Sequence, residues 1–195
     1  MILLGTGNPK KATEMRNILM PLGVRGVIAV ALPDVEEDGA TFQENARKKA
    51  LAFAAHCSGP VLADDSGLVV PALSGEPGVR SARYAGEDAG DEANLELLLK
   101  RIDEAGLGEP DAYFACCCCL ALPDRVLIET EGRVAGRIVA TRRGAAGFGY
   151  DPIFFHPGSG CTFAELEPEA KNALSHRALA LAAFAKLVPE HRDVL

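Results

Sequence analysis

The chain reads as α/β: a mixed central sheet with flanking helices in a single domain, residues 1–195, with room for a β-rich second lobe. Three observations predict it. The first half alternates short apolar runs with stretches of helical period. The second half turns to strands separated by turn signals. A hydrophobic fraction of 48% against 24% charged supplies a core and an ordinary soluble surface.

Met1–Gly5 is predicted as a buried first strand. Lys10–Leu22 places Ala12, Met15, Leu19 and Leu22 on one helical face. Val24–Leu32 is a second strand and Pro33–Ala40 an acidic loop. Thr41-Phe42-Gln43-Glu44 has the form of a capping box and starts a helix running to about His56. Pro60–Ala63 leads a short buried strand into Asp64-Asp65-Ser66-Gly67. Asp91–Ala105 is a helix with Leu95, Leu98, Leu99 and Ile102 inward. Tyr113–Leu122 and Val126–Glu131 flank Pro123-Asp124-Arg125 as a hairpin, Arg133–Ala140 adds a strand, and Asp151–Phe155 is a short one. A last helix begins near Ser175 and buries Leu179, Ala182, Ala183 and Phe184.

A net charge of -7 argues against a broad nucleic-acid surface, which needs a basic patch, yet leaves room for a small anion in a local basic cleft. No apolar run approaches the roughly 20 residues that cross a bilayer, and the start lacks the basic flank of a signal peptide. A cytoplasmic protein is expected. Cys116–Cys119 are consecutive, so on a strand they point to alternate faces and cannot close one tetrahedral metal site. Small core residues are the expected reading, and reduced thiols fit a cytoplasmic setting.

Four segments carry candidate chemistry. Gly5-Thr6-Gly7-Asn8-Pro9-Lys10-Lys11 follows a strand and opens a helix, whose N-terminus attracts anions. Thr6 and Asn8 add donors and Lys11 a positive charge. Neither the P-loop ending nor the dinucleotide glycine pattern is present, and the turn also reads as a plain strand-to-helix connection. The second segment is acidic: Glu36-Glu37-Asp38-Gly39 and Asp64-Asp65-Ser66-Gly67. Buried carboxylates need partners, and magnesium accepts one or two carboxylates with phosphates and water. Glu37 and Asp65 could form such a pair if the loops meet, although Glu36–Asp38 also reads as a solvated loop. Asp64 and Asp65 face different ways, which leaves a structural role for one, and capping alone explains Glu44. In Gly147-Phe148-Gly149-Tyr150-Asp151, Phe148 is placed either to stack on a flat ligand or to fill the core. In the fourth, Lys171 precedes Ser175-His176-Arg177, where Ser175 caps a helix whose first turn then carries cations against the dipole, a local conflict that points to function.

Taken in order, these segments resemble the inosine triphosphate pyrophosphatases, also called non-canonical purine NTP pyrophosphatases. Thr6–Lys11 matches the Thr-x-Asn-x-x-Lys signature, and Glu37–Ala46 the acidic-loop-to-helix segment. Ala63–Leu68 running on to Ser81–Gly86 matches the central block. Phe148–Phe154, and Lys171 with Ser175-His176-Arg177, match the C-terminal blocks. The match spans nearly the whole chain. The departures are small: Leu4-Gly5 stands where an alanine usually precedes Thr6, and the cysteine run fills an otherwise apolar strand.

The resemblance implies an elongated two-lobed fold around a cleft, a homodimer, Mg2+, and cleavage of a purine nucleoside triphosphate between its α and β phosphates. It implies Asp65 as proton acceptor and metal-site residue and Glu37 as a second metal ligand. Thr6, Gly7, Asn8, Pro9, Lys10, Lys11 and Ser66 would hold phosphates. Phe148, Gly149, Tyr150, Asp151, Lys171, His176 and Arg177 would hold the nucleotide, largely its base. Selectivity is expected at purine position 6, where an oxygen acceptor meets Arg177 and backbone N–H groups near Phe148 and an amino group does not. Rival readings are a related house-cleaning pyrophosphatase on other modified nucleotides, a non-catalytic nucleotide-binding protein, and an ordinary phosphatase.

Overall fold

The computed structural model describes residues 2–194, so Met1 of the predicted first strand lies outside it. In chain order the regular elements are β1 (Ile2–Gly5), α1 (Pro9–Leu19), β2 (Gly26–Ile28), α2 (Phe42–Cys57), β3 (Val61–Val69), α3 (Asp91–Glu104), β4 (Asp111–Leu122), β5 (Arg125–Ile138), β6 (Phe154–His156), β7 (Cys161–Thr162), α4 (Pro168–Leu174) and α5 (His176–Leu187). Short 3-10 turns link several of them. The strands form one mixed sheet in the order β2-β1-β3-β4-β5-β6-β7. β1 pairs in parallel with β2 and β3, opposing Leu4 to Ile28 and to Leu62. β6 runs antiparallel to β5 and β7. Only the two residues Pro123 and Asp124 join the neighbours β4 and β5, a connection that permits antiparallel pairing alone.

The chain groups into two compact units, divided within β3, β4 and β5. One contains residues 1–66, 116–133 and 175–195, the other residues 67–115 and 134–174. The first has apolar clusters on both faces of its strands. α1 and α5 supply Met15, Ile18, Leu19, Leu181 and Phe184 to a cluster that includes Cys116 and Cys118. α2 supplies Ala46, Ala50, Phe53 and Ala54 to a cluster that includes Cys117 and Cys119. The four cysteines therefore alternate between faces as strand geometry requires, and all six cysteines of the chain are free thiols. The second unit is centred on Leu68, Leu95, Leu98, Ile102 and the mutually packed rings of Phe114, Phe154 and Phe163.

Several boundaries differ from the sequence expectation, each for a local reason. α1 ends at Leu19, not Leu22, because Val24 N–H bonds back to the Leu19 carbonyl and closes the helix. Ile18 takes the buried place, and Leu22 is exposed. β2 keeps three of the nine predicted residues. It is the sheet edge, and Ala31, at φ 54°, has already left extended backbone. β3 runs on through Asp64 and Asp65 instead of stopping before them. β5 is one strand where two were expected. Gly132 does not break it; a Cβ there would lie 2.2 Å from the His176 carbonyl oxygen, so the glycine makes room for α5. β6 starts later than predicted because residues 150–153 form a turn, with Ile153 N–H on the Tyr150 carbonyl. α4 was not anticipated. α5 is rotated from the predicted face: Leu181 and Phe184 are buried beside Arg177, and Leu179 is exposed. The capping box of α2 forms as expected, with Thr41 and Glu44 bonding reciprocally.

Burial first, with Glu131 adding to it, pushes the Cys117 thiol up to about 12; burial and Glu129 do the same to Cys119. Folded protein at mildly alkaline pH should therefore react with iodoacetamide at Cys57 and Cys161 at most, and at all six cysteines in guanidinium. Intact mass before and after unfolding checks this, and alkylation of Cys116–Cys119 in the folded state would contradict the packing.

Candidate active site

The centre of the first unit is a strand that carries two adjacent acids. Side chains alternate along β3, so Asp64 and Asp65 project to opposite faces, and both are buried. A buried carboxylate without partners is costly, so each face must supply cations or donors.

On the α1 and α5 face, Asp64 Oδ2 accepts from Arg177 Nε at 3.2 Å and Nη2 at 3.0 Å, and lies 3.7 Å from Lys11 Nζ. Arg177 also donates through Nη2 to Ser66 Oγ at 2.8 Å and pairs through Nη1 with Glu14 of α1. Burial works upward on Asp64, yet Lys11, then Arg177 and Lys49, hold its carboxyl far below the usual range. Asp64 in turn holds the Arg177 guanidinium above its ordinary value against burial. Asp64 Oδ1 is buried with no hydrogen-bond partner among the described residues.

On the α2 face, Asp65 Oδ1 accepts from Lys49 Nζ at 3.2 Å and Oδ2 from Asn45 Nδ2 at 3.1 Å. The same Lys49 Nζ donates to Glu37 Oε2 at 3.0 Å. One ammonium thus brings the acidic loop and β3 together. Burial chiefly, with Glu37 adding, lifts the Asp65 carboxyl above its ordinary value against Lys49 and Lys11. Burial also works upward on Glu37, but Lys49, together with hydrogen bonding to Asp65 and the charge of Lys11, brings the carboxyl below its ordinary value.

The phosphate-like turn is ordered by its own side chains. Asn8 Oδ1 caps α1, accepting from Lys10 N at 2.9 Å and Lys11 N at 3.3 Å, with Pro9 in the first turn. Thr6 Oγ1 accepts from Asn8 N at 3.2 Å. Gly7, Asn8, Pro9 and Lys10 are exposed, and Lys11 turns inward to Asp64.

The second unit holds a cluster of its own. Asp151 Oδ2 accepts from Lys171 Nζ at 2.6 Å and from Phe148 N at 2.8 Å, and the ammonium sits 4.8 Å from the centre of the Phe148 ring. Gly149 N donates to Asp91 at 3.0 Å. Tyr150 is core: its ring packs in the apolar cluster and its hydroxyl donates to the Ser81 carbonyl at 2.9 Å. The backbone donors at 148 and 149 are thus turned to carboxylates. His176 is buried at the first position of α5.

Sequence reasoning missed Asn45, Lys49 and Glu14. The signal for the first two was present. Asn45 and Lys49 fall on the same helical stripe as Ala46, Ala50 and Phe53, and polar residues on an apolar stripe point to buried partners. Glu14, one turn beyond Lys11, carried no such mark.

Residues 2–187 match the model of the Ham1 family. The chain belongs to the Ham1 family. Among its relatives, the dITP/XTP pyrophosphatase of Geobacter sulfurreducens is 54% identical over 185 residues, covering 93% of this chain and 92% of the relative. That of Streptomyces avermitilis is 44% identical over 199 residues, covering 100% and 98%. The structure of a HAM1 protein from Coxiella burnetii superposes with a TM-score of 0.87 at 39% identity, over 97% of this chain and 98% of that one. The Ham1 protein of Staphylococcus aureus gives 0.84 at 38% identity, with the same coverage. Mixed α/β architecture is therefore that of the Ham1 family.

Removing one partner of a buried ion pair leaves an uncompensated charge, at a cost of about 3–5 kcal/mol. Arg177→Met is expected to lower Tm by about 6–20 °C, measured by calorimetry. A variant melting within a degree or two of wild type would mean that Asp64 does not depend on this guanidinium.

Proposed function

We propose that this Ham1 protein hydrolyses purine nucleoside triphosphates bearing a 6-oxo base, ITP, dITP and XTP, to the monophosphate and pyrophosphate. The observation that carries this reading is the convergence of Glu37 and Asp65 on one Lys49 ammonium, in a chain closely related to proteins named dITP/XTP pyrophosphatases.

Two carboxylates that share a cation are a donor set magnesium accepts beside phosphate oxygens and water. Magnesium keeps water and substrate phosphate oxygens beside one or two carboxylates, so this pair suits a site that a phosphate completes. The charge balance points the same way. Of the seven charged side chains gathered here, Glu14, Glu37, Asp64 and Asp65 outnumber Lys11, Lys49 and Arg177. A triphosphate deepens that deficit. Magnesium held by Glu37 and Asp65 would supply the missing positive charge at the phosphates.

The chain's own groups supply the rest. The N-terminus of α1 favours an anion through its helix dipole, and Lys11 adds positive charge beside it, while the Asn8 cap takes up the Lys10 and Lys11 N–H groups. Asp65 accepts the proton of the attacking water, its carboxylate fixed from two sides by Asn45 and Lys49. Arg177 holds Ser66 and Asp64 in place. Taken by itself, the second unit carries an aromatic face, the Phe148 ring, with the Lys171 ammonium 4.8 Å from its centre, a pairing that suits a flat base bearing a carbonyl. The Lys171 ammonium has donors and no acceptor, so it suits a 6-oxo group and opposes a 6-amino group. A cytoplasmic homodimer belongs to the same proposal, and sedimentation of the purified protein tests the assembly.

With Mg2+, ITP should yield inosine monophosphate and pyrophosphate in equal amounts, without orthophosphate. EDTA should stop the reaction and added Mg2+ restore it. Orthophosphate as the main product would replace this reading with an ordinary phosphatase. Asp65→Asn should lower kcat by about 100-fold or more while KM stays close to wild type; an unchanged kcat would remove Asp65 from the chemistry. Lys171→Met should reduce kcat/KM for ITP by about 5- to 150-fold, with a much smaller effect on ATP. An equal loss on both nucleotides would place base selection elsewhere.

A further inference from the structure

Asn45 is buried within α2, 0% exposed, yet every atom of its amide group is matched. Nδ2 donates to Asp65 Oδ2 at 3.1 Å, and Oδ1 accepts from the Gly39 backbone N–H at 2.8 Å. The orientation is unambiguous, because a backbone N–H offers only a donor and a carboxylate accepts. The approach is close: a Cβ at Gly39 would lie 2.6 Å from Asn45 Oδ1 and 2.8 Å from Glu44 Cβ. The loop residue next to Asp38 therefore has to be a glycine for the bridge to form.

We propose that Asn45 is a positioning residue that ties the acidic loop to β3 and so sets the spacing of Glu37 and Asp65. The proposal rests on the reading of those two acids as a divalent-cation pair. One end of the amide pins the backbone two residues beyond Glu37. The other end fixes the second oxygen of Asp65, while Lys49, one helical turn on, holds the first. A single helix face thereby sets both acids. Capping explains Glu44, and the apolar stripe explains Ala46 and Ala50; neither accounts for a fully buried amide at position 45. Groups one step behind metal ligands that orient them change metal affinity or activity by about 10- to 100-fold when removed.

The test uses the full chain and Mn2+ alone as the probe, with binding followed by electron paramagnetic resonance well below Tm. Asn45→Ala should weaken Mn2+ binding about tenfold or more and lower kcat on ITP comparably, with nucleotide KM nearly unchanged. Gly39→Ala cuts the same bridge from its loop end, with Asn45 and Asp65 intact, and should shift Mn2+ affinity in the same direction. If Asn45→Ala does not fold, Gly39→Ala decides. Wild-type Mn2+ affinity in the folded variant or variants would overturn the proposal, as would no Mn2+ binding by the wild-type protein at millimolar metal. A wild-type protein that binds Mn2+ but releases no pyrophosphate from ITP would sink the enzymatic reading alone. The Asn45 effect on Mn2+ would then still support its positioning role.

Discussion

Two acids, adjacent in sequence and buried in the middle of a strand, set the terms for everything around them. A strand cannot direct neighbouring side chains to one side, so Asp64 and Asp65 make separate demands on the two faces of β3. Each demand is met by a different helix pair or loop. α1 and α5 converge on Asp64 through Lys11 and Arg177, and α2 meets Asp65 through Asn45 and Lys49. The apolar clusters on each side follow the same division, with Cys116 and Cys118 packed beside the first set and Cys117 and Cys119 beside the second. Packing and charge pairing thus agree on which helix covers which face, the mutual consistency expected of a well-specified fold.

The second unit uses a related device at a smaller scale. Lys171, Asp151 and Phe148 combine a buried cation, its carboxylate partner and an aromatic face within one short stretch and one helix. The carboxylate is committed twice, to the ammonium and to the Phe148 N–H, so it holds the loop in shape as well as balancing charge. A cation near a ring face gains more when desolvated than at the surface. That favours keeping Lys171 here as a buried, directed donor.

Much of this was legible in the sequence because it depends on local rules. Thr41 and Glu44 announced the start of α2 by capping chemistry, and the cysteine run announced a buried strand by alternation. The four candidate segments stand in order along the stretch that matches the Ham1 family. Contacts between distant residues were not legible. Arg177 was read as a charge in conflict with a helix dipole, which is correct as far as it goes. Its guanidinium resolves that conflict through Asp64 and Glu14, residues 113 and 163 positions away. Apolar counting rotated α5 for the same reason: it assigns the inner face to leucine and alanine, and a paired arginine claims part of it. Asn8 carries a role that its place before Pro9 makes legible: its side-chain carbonyl caps the helix, and its amide nitrogen is not used by that cap.

The acidic loop shows why α2 matters beyond its own packing. Residues 33–40 have no regular hydrogen-bonded structure, and side chains of a single helix hold them. Lys48 pairs with Asp38, Lys49 with Glu37, and Asn45 receives the Gly39 N–H. The three contacts differ in strength. The Lys48 pair is solvent-exposed and contributes little, since water screens it. Lys49 and Asn45 are buried, where an unmatched group costs far more. The loop is therefore fixed most firmly at the residues nearest Asp65 and more loosely towards solvent. Two acids held together without a cation would repel one another. Lys49 relieves that repulsion in the protein alone, and the bridging amide of Asn45 keeps the spacing without adding charge. A neutral side chain suits that position for this reason: an acid would add to the repulsion, and a base could not accept from the Gly39 N–H.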